Sequence, residues 1–184
     1  MATTIIRPNA VGDYTTLLGA SPHWAQVDDV IPDEDATYVH LYHWVVGTTG
    51  YDSYNLSDVG FGAATITNVQ IIGRFRRIAQ NPAGSGLVSF GLGVRTNGAN
   101  SWTAENTRNN SYFNASRNYA INPVTGLAWT LAEINALQVY LWMQFINRAL
   151  ADGGLMSTRC TQVYAVITGS FAPTVQTDPA TEIT

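Results

Sequence analysis

Four stretches of this chain alternate strictly between two kinds of side chain, and that period of two is what most restricts its fold. Tyr38, His40, Tyr42 and Trp44 alternate with Val39, Leu41, His43 and Val45. Val69, Ile71, Gly73 and Phe75 alternate with Gln70, Ile72, Arg74 and Arg76. Phe90, Leu92 and Val94 alternate with Gly91, Gly93 and Arg95, and the run Cys160–Thr168 alternates in the same way. A β-strand points successive side chains to opposite faces, so each run predicts a strand with one face in a core. Turn formers separate the runs: Thr48-Thr49-Gly50, Asn81-Pro82-Ala83-Gly84, Thr96-Asn97-Gly98, Thr125-Gly126 and Asp152-Gly153-Gly154. Many strands joined by Gly and Asn turns predict an all-β fold, a β-sandwich of the jelly-roll kind.

One segment breaks the pattern. Thr130, three residues before Glu133, has the spacing of a capping box, with Leu131, Ile134 and Leu137 as the buried stripe. It predicts one short helix near residues 130–137. Two continuations are open: one long helix from Leu131 to Ala151, or a two-turn helix followed by a strand over Val139–Ile146. The second is preferred, with Asp152-Gly153 as a hairpin into the strand Thr158–Thr168. Residues 1–10 read as an extended N-terminal arm broken at Pro8-Asn9, 11–171 as a single β-sandwich domain, and 172–184 as an extended C-terminal tail.

Composition narrows the function. Charged residues make up 12% of the 184, about half the usual share, and all nine basic residues are arginine. A sparsely charged surface suits a protein that packs against copies of itself or a partner, because desolvating charge at an interface is costly. A net charge of −4 argues against sequence-independent nucleic-acid binding. No apolar run approaches the roughly 20 residues of a membrane-spanning helix, and the first residues lack the charged and apolar regions of a signal peptide. Neither nucleic acid nor membrane is expected as a partner. Cys160 stands alone, which rules out an intrachain disulfide, and its apolar setting predicts a buried thiol.

Five segments occur in an order that resembles a group of small structural proteins of tailed bacteriophages. They are Arg7-Pro8-Asn9-Ala10-Val11-Gly12-Asp13, the acidic turn and strand Pro32–Val39, Asp52–Asp58, the passage Asn122-Pro123-Val124-Thr125-Gly126-Leu127-Ala128-Trp129-Thr130 with Glu133–Leu137, and the closing Arg159–Tyr164. The resemblance implies a virion β-sandwich that coats or decorates a particle. It implies no activity, so no catalytic residue carries over. The chain departs from the group's pattern in the Asn-rich stretch around Ala99–Ser116 and in the tail beyond Gly169, where a contact peculiar to this protein is expected.

Chemical constellations point the same way. His40 and His43 sit three apart on a predicted strand, hence on opposite faces, and cannot share a metal. Asp28, Asp29, Asp33, Glu34 and Asp35 form an acidic cluster without EF-hand spacing, read as a solvated or capping loop rather than a calcium site. Asp52, Asp58 and Glu105 lie in turn-like segments and do not suggest the facing carboxylates of a glycosidase. No nucleophile elbow or phosphate loop is present. No enzyme, cofactor or metal is expected. Tyr38, Tyr42 and Trp44 read as the inner face of a sheet, and Trp129 as a core anchor.

These readings predict a capsid decoration or cement protein of the virion, a homo-oligomer such as a trimer, bound to the major capsid protein. The candidate interface residues are Arg7, Pro8, Arg74, Arg76, Tyr112, Phe113, Pro173 and Val175. The alternative is a tail or fibre component that binds a host-surface glycan through exposed rings at Tyr112, Phe113 or Trp102.

Overall fold

The computed structural model describes residues 1–43, 47–61, 63–79, 87–147 and 156–172. In chain order the elements are β1 (Ala2–Ile6), β2 (Pro8–Thr15), a 3₁₀ turn (His23–Gln26), β3 (Val39–His43), β4 (Thr49–Leu56), β5 (Ala63–Ala79), β6 (Leu87–Thr96), β7 (Ala99–Thr107), β8 (Phe113–Tyr119), α1 (Leu131–Asn135), β9 (Gln138–Asn147) and β10 (Met156–Ala172). Among these residues no helix is long and apolar enough to cross a membrane.

The strands pair as a nested set. β6 pairs with β7, β5 with β8, β4 with β9 and β3 with β10, all antiparallel. A long hairpin wound in this way splits into two sheets. The first runs β10-β5-β8, with β1 and β3 end to end along the other edge of β10; the second runs β2-β4-β9-β6-β7. That order is a jelly roll, with β1 and β2 widening its two sheets by one N-terminal strand each. The innermost hairpin turns on Asn97 and Gly98, both with positive φ (50° and 76°), between the paired residues Thr96 and Ala99. A two-residue turn of this hand matches the twist of the flanking strands, and Asn-Gly is the sequence that tolerates it.

The inward residues of the two sheets fill one core. Val69, Ile71 and Phe75 of the first sheet and Phe90, Leu92, Val139, Leu141 and Met143 of the second are all buried. Phe75 stacks on Phe90 with ring centroids 4.3 Å apart. In β10 the alternation changes phase. A register shift between Cys160 and Gln162 lets both Cys160 and the set Val163, Ala165 and Ile167 reach the core.

The capping box forms: Thr130 N–H donates to Glu133 Oε2 (2.8 Å), and Glu133 N–H donates to Thr130 Oγ1 (3.2 Å). The helix stops after five residues and β9 follows, as the shorter continuation predicts. Trp129 is buried and donates from Nε1 to the Tyr119 carbonyl at 3.0 Å.

Several expectations are corrected. Residues 1–10 are not a free arm: β1 pairs with β10 and β2 with β4, and the chain changes sheet at Arg7. β9 and β10 belong to opposite sheets, so no hairpin joins them; Asp152-Gly153-Gly154 itself lies outside the described residues, as does Asn81–Gly84. The turn before β4 uses Gly47 (φ 86°), while Thr49 and Gly50 are already paired. In β3 the core takes Val39 and Leu41, leaving Tyr38 half-buried and Tyr42 exposed on the outer side; Trp44 lies outside the described residues. Aromatic residues lost that contest because the aliphatic set had the correct phase for the core.

Candidate functional site

The outer face of the first sheet gathers three of the nine arginines. Arg74 and Arg76 on β5 and Arg159 on β10 share this face and meet the acidic turn at residues 33–35. Arg74 Nε donates to Glu34 Oε1 at 2.9 Å, while Arg76 and Arg159 each reach Asp35 at 2.7 Å. Tyr112 O–H donates to Asp35 Oδ1 (2.8 Å), and its ring lies 5.4 Å from the Arg74 guanidinium and 5.3 Å from that of Arg76. Burial and the bond to Asp35 push the Tyr112 phenol well up from its ordinary value. Burial raises Asp35, but its bonds to Tyr112 and Arg159 outweigh this and hold its carboxyl below the ordinary carboxylate range.

The rest of the acidic segment is pinned as well. Thr37 Oγ1 donates to Asp29 Oδ2 (3.0 Å) and Asp33 Oδ2 (2.9 Å). Gln162 Nε2 and Arg7 Nη1 each donate to the Asp29 carbonyl at 2.6 Å. Residues 28–37 are thus a tightly held loop, and its two large aliphatic side chains, Val30 and Ile31, are 76% and 80% exposed. Among the described residues no group of three or more His, Cys, Asp or Glu is placed to hold a metal ion.

The predicted interface residues are only partly brought together. Arg74, Arg76 and Tyr112 converge, but their partners are carboxylates of the same chain. Arg7 is half-buried under Tyr164 (4.9 Å to the ring), and Pro8 is buried. Phe113 packs inward, 5.4 Å from Phe90 and 6.4 Å from Phe75. The Asn-rich stretch serves the fold: Asn114 Oδ1 accepts from Arg74, Asn110 Oδ1 from Arg77, and Asn109 Oδ1 from Ser111 N–H. Pro173 and Val175 lie outside the described residues.

Asp52 is not in a turn. It lies in β4, wholly buried, and accepts from the N–H groups of Thr16 (2.7 Å) and Leu17 (2.9 Å) and the Tyr54 hydroxyl (2.9 Å); His23 Nδ1 lies 2.8 Å away. With four partners converging on it, this carboxylate is a staple holding residues 16–23 to the sandwich. A shallow recess of about 280 Å³ lies nearby, lined by Gly19, Ala20, Gln26, Ala36, Tyr38 and His40.

The outer face of the second sheet is different in kind. Outward positions there carry Tyr14 of β2, Tyr51 of β4, Tyr140 and Trp142 of β9 and Trp102 of β7. Ring centroids are 5.2 Å apart for Tyr14–Tyr51, 6.3 Å for Tyr51–Tyr140, 6.1 Å for Tyr140–Trp102 and 4.8 Å for Trp102–Trp142. β6 runs beneath with Gly91 and Gly93. A Cβ on Gly91 would sit 2.6 Å from Trp102 Cε3, so only glycine lets that indole lie across the strand. Of these rings only Trp102 was singled out from the sequence. The signal for the others was the pairing of Tyr140 and Trp142 on one face of β9 with glycines at alternate positions of β6.

No protein-family model and no curated protein matches the chain. Its strand arrangement is similar to the solved structure of "Family 16 Carbohydrate Binding Module-2", with a TM-score of 0.35 and 6% identity over 72% of this chain and 78% of that chain. So slight a likeness carries no functional argument.

Proposed function

We propose that this protein is a structural component of a bacteriophage virion, a decoration protein that binds the outer shell as a homo-oligomer and stabilises the particle by contact alone. The observation that supports this most is the 28–37 loop. A solvent-facing Val-Ile pair on a loop held by Arg7, Arg74, Arg76, Arg159 and Gln162 is a preorganised apolar contact, with little conformational entropy left to lose on binding. The resemblance read in the sequence, of five ordered segments to phage structural proteins, gives that contact its context in this proposal. Repetition around a symmetric shell would add avidity to each weak contact. On this reading the loop, and not an arm, makes the contact with the shell.

The test is the copy number of the chain in density-purified particles, by quantitative mass spectrometry against the major shell protein. One copy per shell subunit, or a simple fraction of it, is the expected result, with Val30→Asp and Ile31→Asp lowering occupancy while leaving the fold intact. Absence from particles removes the reading. The second reading, a tail or fibre part that binds a host glycan, is favoured by the rings on the outer face of the second sheet. It predicts only a few to a few tens of copies.

A further inference from the structure

The geometry points to a binding site for a neutral oligosaccharide on the outer face of the second sheet, centred on Trp102, Trp142 and Tyr51. The inference rests on this ring tract alone and stands whether the protein sits on a shell or on a tail.

Three features carry it. The first is shape. Trp102 is 38% exposed and lies against Gly91 and Gly93, and its ring centroid is 4.8 Å from that of Trp142 with 31° between the planes, so the two indoles make one continuous ring surface. Trp142 and Tyr51, half-buried, sit directly across the ladder from one another, while Tyr140 is buried beneath its neighbours and holds the two groups together. A sugar presents a patch of polarised C–H groups on one ring face, and the negative face of an indole or phenol attracts them.

The second feature is the border. Strand register places Asn106, Ser89, Gln144 and Thr49 in a row along one side of the rings. Among the described residues Gln144 and Asn106 make no side-chain hydrogen bond, which leaves amide donors and acceptors beside the rings for hydroxyl groups. On the other side Asn55, Gln138 and Arg95 are already engaged, with Val11, Asp13 and Asp13 respectively.

The third feature is charge. Among the described residues the charged groups bordering the tract, Arg95 and Asp13, are a closed ion pair, so neither is free to favour an ionic ligand. Tyr112 is the weaker site, because its hydroxyl is bound by Asp35 and its ring is contacted by two arginines.

The experiment is a printed array of neutral plant, fungal and bacterial-surface glycans probed with the full chain, followed by calorimetric titration of the best soluble oligosaccharide. Binding with quenching of tryptophan fluorescence is expected. Trp102→Ala and Trp142→Ala should each weaken it about tenfold or more. Gly91→Ala, which pushes the Trp102 ring off the strand, should weaken it with all rings still present, and Tyr112→Phe should leave it unchanged. Trp102 is exposed on an edge strand, so an unaltered urea midpoint for its variant separates lost binding from lost fold. Trp102→Tyr, which keeps a ring, should restore most of the affinity. No binding to any neutral glycan overturns the inference, as does binding indifferent to Trp102. Dissociation of a homo-oligomer by Trp102→Ala also overturns it, since the tract would then be a subunit interface.

Discussion

Asn122 donates from Nδ2 to Glu133 Oε1 at 2.9 Å, joining the turn before the helix to the helix cap itself. Asn97, in the hairpin turn between β6 and β7, donates to the same oxygen at 3.1 Å. The most distinctive passage of the sequence is therefore a structural knot. Asn122 Oδ1 also accepts from Val124 N–H at 2.9 Å, and Asn122 itself is wholly buried. Replacing it with alanine strands that N–H and takes one donor from Glu133, at a cost of about 2 kcal/mol. Glu133→Ala loses the capping box and costs about 1 kcal/mol. Urea midpoints measure both, and because the two residues touch, the double variant should lose less than the sum.

Asp52→Ala should be the most damaging single change in the first half of the chain. It removes the acceptor for two backbone amides and the buried Tyr54 hydroxyl, and leaves His23 without its carboxylate. A loss of about 3 kcal/mol or more is expected, because buried donors keep their full desolvation penalty once unpaired. Hydrogen exchange should show residues 16–23 opening first. If their amides stay as protected as in the parent protein, the staple does not hold this segment.

Stability should decline as the solution is acidified from neutrality. Burial, with Arg159 and His23 nearby, holds the His40 pKa below its ordinary 6.5, so the folded protein prefers the neutral ring. Stability from this group is full above pH 6.5 and is lost as pH falls through the lower folded value. His40→Gln should flatten that part of a melting-temperature profile. Further down, Asp35 and Glu133, both held below their ordinary values, lose their contribution as pH falls through their depressed pKa values.

The Cys160 thiol should be inert in the folded protein. Burial pushes its pKa up to about 12, and no solvent reaches it. Ellman's reagent at pH 8 should find no thiol until guanidinium unfolds the chain, and then one per chain. Prompt labelling under native conditions would mean that β10 opens far more readily than a central strand should.

The strands were legible because period two survives in any sequence with one buried face, and Val69–Phe75 of β5 and Val88–Val94 of β6 show it without interruption. The short helix was legible because a cap is a local device, complete within Thr130–Glu133. What failed was everything decided at a distance. Tyr38 and Tyr42 looked like core because aromatic residues bury well, yet phase placed Val39 and Leu41 inside. The first ten residues looked free because their partners are β10 and β4, far along the chain. The arginine-carboxylate cluster was half legible: Arg74, Arg76 and the acidic run were visible, but not that they would meet across the fold. The ring tract needed strand order, since Tyr51, Tyr140 and Trp102 become neighbours only through register.

The nested pairing also sets an order of events. Among the described residues only the β6–β7 pair of this nest is joined by a tight turn; each pair around it must enclose a larger loop, through β3 against β10 and ending with β1 against β10. Closing the outermost pair directly from the unfolded chain would sacrifice the most freedom, whereas closing it after the inner pairs sacrifices little. Assembly from the middle of the chain outwards is thus the least hindered kinetic route. A topology so rich in distant contacts folds slowly, and the strands completed last, β1, β3 and the paired length of β10, would be those left uncovered longest while the chain is still incomplete.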